Sequence, residues 1–238
     1  MDNPTYLALS RQSGLLKEMQ VVANNIANIS TTGYRREGVV FAEMIEPLPE
    51  GEDSLSMTEA RVRRTDFSQG AMSRTGGALD VAIEGDGFFM VQTQQGPTLT
   101  RNGAFARDAA GALVTMDGYP VLDQGGAALF VPEGGEVVIA TDGTVSVDGQ
   151  VQGTLAVVTV PEPDKLIREG GVMFRADQPL LPADGTVFQG FVEGGNVQPV
   201  VELARMIEVQ RAYELGQAML EREDERIRAA VRQLGGQS

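Results

Sequence analysis

Two seven-residue repeats of apolar side chains stand at opposite ends of this chain, and the period changes between them. Leu9, Leu16 and Ala23 are seven apart, with Gln12, Met19 and Ile26 interleaved. Met206, Tyr213, Leu220, Ile227 and Leu234 repeat the spacing near the other end, with Val209, Gly216, Glu223 and Ala230 between them. Such a repeat gives a helix one seam that is satisfied by a partner helix. The pattern predicts helices over residues 4–29 and 199–234, and Pro4 and Pro199 both fit a first turn, where a missing N–H costs nothing. Gln12, Gly216 and Glu223 weaken both seams, so the two helices are expected to pair with each other in a coiled-coil-like manner.

The first seam runs into an unusual amide cluster. Asn24, Asn25 and Asn28 interrupt the apolar positions Val22, Ala23 and Ile26, and Asn24 and Asn28 share a helix face. Thr31-Thr32-Gly33 then ends the helix, with Gly33 able to take positive φ, and Tyr34 follows. Two readings are open. A buried amide left unpaired costs about 1–3 kcal/mol, so the asparagines would fix the register of helix packing; or they cap the helix end and bond the turn locally.

Between the helices the apolar period drops to two. Six Asx-Gly dipeptides punctuate the middle: Asp86-Gly87, Asn102-Gly103, Asp117-Gly118, Asp142-Gly143, Asp148-Gly149 and Asp184-Gly185. They favour tight turns, and strands are expected at 79–83, 88–93, 98–100, 113–116, 119–122, 136–140, 144–147 and 155–160. The reading is an α+β fold with discontinuous terminal helices (1–35 and 197–238) and a central, mostly antiparallel β domain (77–160). Residues 36–76, without a clear period, and 161–196, with four prolines, read as extended connectors or edge strands.

Composition narrows the function. Net charge is −14; the first 36 residues are +2 and the last 42 are −1, which leaves −15 on residues 37–196. That surface repels phosphate, so no nucleic-acid partner is expected. The chain has no cysteine and no histidine, which removes thiolate and Ser-His nucleophiles and the commonest zinc ligands. Glu84-Gly-Asp-Gly87 and the stretch from Asp142 to Asp148 lack the spacing of a calcium loop, and Asp80, Glu84 and Asp86 have no partner base or phosphate loop nearby in sequence. No enzyme activity, cofactor, metal or small-molecule substrate is expected. No run is long and apolar enough to span a membrane, and the opening residues lack the pattern of a cleaved signal.

Four blocks carry a resemblance. Ala23-Asn-Asn-Ile-Ala-Asn-Ile-Ser-Thr-Thr-Gly-Tyr34 resembles the signature of the bacterial flagellar rod and hook proteins. Thr75 to Phe89, then Thr100-Arg-Asn-Gly-Ala-Phe105 with Leu113 to Leu122, and finally Glu193-Gly-Gly-Asn-Val-Gln-Pro-Val200 with Met206 to Glu214, resemble its later blocks in order. Gln198 stands where that family usually has asparagine before the proline. The opening Met-Asp-Asn, Tyr6 and the modest length look most like a proximal rod member, with a distal rod member or a secreted β-rich binding module as alternatives. The resemblance implies a helically polymerising, torque-carrying subunit of the basal body. Its partners would be itself, neighbouring proximal and distal rod proteins and the flagellar export apparatus, with export that involves no signal cleavage. The expected packing residues are Leu9, Leu16, Met19, Asn24, Asn25, Ile26, Asn28, Gly33, Tyr34, Met206, Tyr213, Leu220, Ile227 and Leu234.

Overall fold

A computed structural model describes residues 3–46 and 55–235. The chain divides into two compact units: Met1–Ala27, Glu37–Thr65 and Gln198–Ser238 form the first, and Asn28–Arg36 with Asp66–Val197 the second. The fold is α+β, with two terminal helices and a largely antiparallel β-rich centre.

The first unit contains helix α1 (Asn3–Ala27), strands β1 (Glu37–Glu46) and β2 (Leu55–Thr65), and helix α2 (Pro199–Gly235). Both helices begin and end within two residues of the expected limits. The hairpin of β1 and β2 falls where a connector was expected: it pairs antiparallel from Glu37↔Thr65 to Glu46↔Leu55, with a bulge at Val40/Phe41. Strand propensity is strong in Val39-Val-Phe41, but β2 carries arginines at 61, 63 and 64, which hide its strand pattern in the sequence.

The second unit is built from short strands. Its six-stranded sheet has the order β13-β14-β6-β5-β12-β15, namely Ile167–Gly170, Met173–Arg175, Gly96–Thr100, Phe88–Thr93, Val157–Thr159 and Leu181–Pro182. A three-stranded sheet joins β9 (Val137–Ile139), β10 (Thr144–Val147) and β11 (Gln150–Thr154). Two-stranded pairs join β3 (Met72–Arg74) to β17 (Phe191–Glu193), β4 (Val81–Glu84) to β16 (Thr186–Gln189), and β7 (Phe105–Arg107) to β8 (Leu113–Thr115). Every pair in these sheets is antiparallel.

The stretch 161–196 thus contributes β13 to β17 to the same unit as the central strands, with Pro182 in the edge strand β15, where a missing N–H is tolerated. Residues 119–122, expected as a strand, make only isolated bridges such as Val91↔Val121. Of the Asx-Gly pairs, Asp148-Gly149 is the two-residue hairpin turn between β10 and β11, with φ of 49° and 78°. Asp86-Gly87 and Asn102-Gly103 instead separate strands that do not pair with each other.

Two apolar clusters fill this unit. One gathers Phe89, Val91, Leu113, Leu129, Val145 and Leu155, all nearly inaccessible. In the other, Phe67, Phe88 and Phe174 meet edge to face at 5.3–6.1 Å, a geometry worth about 0.5–1.5 kcal/mol per pair beyond burial.

Candidate functional site

In the first unit the two helices meet through polar ties as well as apolar contact. Val21, Val22 and Val209 are buried, and so are Gln12, Glu18, Asn25 and Glu202. Gln12 Nε2 donates to the Tyr213 carbonyl at 3.1 Å, opposite Gly216, where a Cβ would lie 2.7 Å from that nitrogen. Gly216 therefore admits Gln12 rather than merely weakening the seam. Arg205 Nε donates to Glu18 Oε1 at 2.6 Å. Burial lowers the basicity of Arg205, but the hydrogen bonds and charges of Glu18 and Glu208 outweigh it and raise its pKa.

The three asparagines separate. Asn25 is inaccessible: its Oδ1 accepts from the Glu37 amide at 3.0 Å, and its Nδ2 donates to the Glu37 carbonyl at 2.8 Å and to Glu202 Oε2 at 3.1 Å. One side chain thus ties the end of α1 to the first residue of β1 and the first turn of α2. Asn28 bonds its own turn, accepting from Thr31 Oγ1 at 3.1 Å, and Asn24 is exposed.

The remaining expected packing residues divide by face. Met19 and Ile26 on α1, and Met206, Tyr213 and Leu220 on α2, are half-buried. Leu9, Leu16 and Ile227 are exposed by 52, 43 and 49%. The side chain of Leu234 lies outside the described residues. Sequence spacing did not single out Val200, Leu203, Ile207, Leu215 and Met219, which are exposed by 49–80% and follow one another at three-, four- and eight-residue steps along α2. By angular position Val200, Ile207 and Leu215 lie roughly opposite Val209, Tyr213 and Leu220, with Leu203 and Met219 on the two flanks between.

In the second unit, Gly33 and Tyr34 belong to a buried knot. Gly33 has φ of +71°, and a Cβ there would lie 2.3 Å from the Asn102 amide nitrogen. Its N–H donates to the Glu193 carbonyl at 2.7 Å. The Glu193 carboxylate accepts from Arg35 Nη2 at 2.7 Å, Arg101 Nε at 2.8 Å and the Gly70 amide at 2.7 Å, with all three side chains at most 4% exposed. Arg101 spends its other nitrogens on the carbonyls of Ile83, Gly85 and Gly87. Burial pulls the Arg35 guanidinium below its ordinary pKa, against the opposing pull of Glu193. Tyr34 packs with Val172 and Val197 beneath the Arg168 guanidinium, 4.9 Å from its ring centre.

A cavity of about 360 Å³ lies beside this knot, lined by Arg35, Phe67, Phe88, Arg101 and Pro161 among others. Both of its arginines are committed to Glu193. Among the described residues no group of three acidic side chains converges as a metal site would require, and no helix is long and apolar enough to cross a membrane.

Three family models match. Residues 6–35 match the flagella basal body rod protein model, 82–152 the flagellar hook protein FlgE/F/G D1 domain, and 189–233 the flagellar basal body rod FlgEFG protein C-terminal model. The flagellar basal-body rod protein FlgF of Caulobacter vibrioides is 39% identical over 244 residues, covering 99% of each chain. FlgF of Mesorhizobium japonicum is 33% identical over the whole of both chains, and FlgG of Bacillus subtilis is 30% identical over 95% of this chain and 97% of its own.

Proposed function

The chain belongs to the family of flagellar basal-body rod proteins, most like FlgF, and on that premise we propose how it assembles. It is a structural subunit of the basal-body rod. Its two terminal helices act as one coiled-coil-like pair, and pairs from successive copies pack into a helical lattice that carries torque from motor to hook. Neighbouring rod proteins lie at its ends. The chain reaches the periplasm through the flagellar export apparatus without signal cleavage, and catalyses nothing.

The observation that carries this reading is the exposed apolar face of α2. Val200, Leu203, Ile207, Leu215 and Met219 are left exposed by the helix pair's own contacts, with Leu9 and Leu16 exposed on α1. Burying one such side chain contributes about 1.5–3 kcal/mol, so five or more on one subunit give a strong drive to associate. Proximal rather than distal rod identity is favoured by 39% identity to a FlgF against 30% to a FlgG.

Ile207→Glu with Leu215→Glu tests the reading. The soluble chain should keep its unfolding transition, because both side chains are exposed, whereas a strain relying on the variant should build no rod beyond this subunit's level. Normal rods and normal swimming with the double variant would remove the proposed lattice contact.

A further inference from the structure

The backbone passes between the two units four times, after Ala27, Arg36, Thr65 and Val197. In the second unit three segments make those passages: 28–36, the run starting at Asp66, and the run ending at Val197. These segments are bound to one another. The Asp66 amide donates to the Arg36 carbonyl at 2.8 Å, and the Asn196 amide to the Tyr34 carbonyl at 3.3 Å. Asn196 Oδ1 accepts from the Arg36 amide at 2.6 Å, while its Nδ2 donates to the carbonyls of Asp66 and Ser68 at 2.8 and 3.0 Å. Glu193 does the same from the buried side, joining Gly33, Arg35 and Gly70, and adds Arg101 from the loop after β6.

We propose that Asn196 and Glu193 form a load-bearing tie, in which the three connecting segments are clamped into one unit so that force on any of them is shared by all. This rests on the reading of the chain as a torque-carrying rod subunit. The physical basis is geometric. Separate hydrogen-bonded segments pulled from one end open one bond at a time, whereas bonds that converge on two side chains must break together. Burial keeps water from replacing the broken partners of Glu193, since a buried ion pair deprived of one member is strongly destabilised. Asn196 supplies the neutral half of the clamp, with its acceptor and donor both used.

The chain has no cysteine, so introduced thiols are unique handles for pulling. Ser30→Cys with Gln198→Cys places handles on the outgoing and returning segments, and single-molecule extension reads the force needed to part them. The tie predicts one force peak that coincides with opening of the second unit. Asn196→Ala should lose that peak, and Gln69→Ala, which removes bonds to Ile83 and Gly85 outside the tie, should retain it. In the Asn196→Ala chain, amide exchange at Arg36 should rise by at least about fivefold, the factor for one net hydrogen bond. An unchanged peak in Asn196→Ala overturns the proposal, and because Asn196 is a neutral, half-buried residue the variant is expected to fold even where Glu193→Gln does not.

In cells, Asn196→Ala should build rods but lose swimming as medium viscosity rises. Wild-type swimming at every viscosity, with the peak lost in isolation, also overturns the load-bearing role and leaves the rod reading intact. Failure of the unaltered chain to restore rods in a strain lacking its own copy counts against the rod reading, while the pulling result still decides the tie.

Discussion

The side-chain amide of Asn25 donates to the carboxylate of Glu202 across 3.1 Å, with neither residue accessible to solvent, although 177 positions separate them. Asn25 also exchanges two hydrogen bonds with the backbone of Glu37, so it serves as the meeting point of α1, β1 and α2. An apolar side chain there would leave a buried amide hydrogen without its acceptor and Glu202 without that donor. The asparagine at this position is therefore explained by the chain's own packing.

Asn25→Leu should destabilise the first unit by about 2–4 kcal/mol, the cost of stranding two buried polar groups. Asn24→Leu, at an exposed position, should change monomer stability by less than about 0.5 kcal/mol. Denaturant unfolding followed by helix ellipticity separates the two, and equal costs would show that Asn25 is not the tie.

Gly33→Ala should destabilise the second unit by at least about 2–3 kcal/mol, because the backbone is left-handed there and the new Cβ would collide with backbone atoms of Arg101 and Asn102. Neither neighbour can swing away as a side chain could. Thermal unfolding of the two glycine variants Gly33→Ala and Gly118→Ala makes the comparison clean, since Gly118 also has positive φ (+82°) but nothing within 4 Å of its added Cβ. The first should lose clearly more than the second.

Acid should weaken the second unit through Asp66, whose exposed carboxylate accepts from the Ser68 amide. Burial pushes its carboxyl up, but hydrogen bonds from Ser68 and the charges of Arg36 and Arg35 outweigh this and hold it below its ordinary 3.8. A depressed folded pKa means that the stabilising contribution is whole above pH 3.8 and is lost as pH falls through the lower folded value. Denaturant titrations from about pH 5 to about pH 2 should show a stability gap between the native chain and Asp66→Asn that closes with acid. A constant gap would refute the assignment.

Helix content should rise on assembly. Beyond Leu220, Glu223 is the one described side chain of α2 that is even half-buried, and isolated helical segments of this length are marginal in water. Circular dichroism of the free chain should therefore show less helix per residue than the assembled rod, and identical spectra would mean that lattice contacts do not order α2.

Periodicity and terminal signals located α1 and α2 to within two residues and the strands at 88–93 and 144–147 to the residue, and the Asp148-Gly149 dipeptide marked its turn. This reading left the β1–β2 hairpin and β13 to β17 open between extended connectors and edge strands, because they are short, charged or proline-bearing and strands such as β17 find their partner far along the chain, in β3. Of the positions it named on α1, Gln12, Val22 and Asn25 are buried while Leu9 and Leu16 are exposed; α1 packs against the hairpin as well as α2, and this shared burial also takes in Glu18 and Val21.

The sequence by itself determined the two helices and the α+β class, because a helical or pleated period depends on residues within one or two turns of each other. Which faces were buried, and which charges met, only the tertiary structure decided. Glu193 is an ordinary acidic residue in the sequence until folding brings Arg35 from 158 positions away and Arg101 from 92 onto its two oxygens. Such pairings are set by competition among every segment that could cover the same surface, and no local spacing records the outcome.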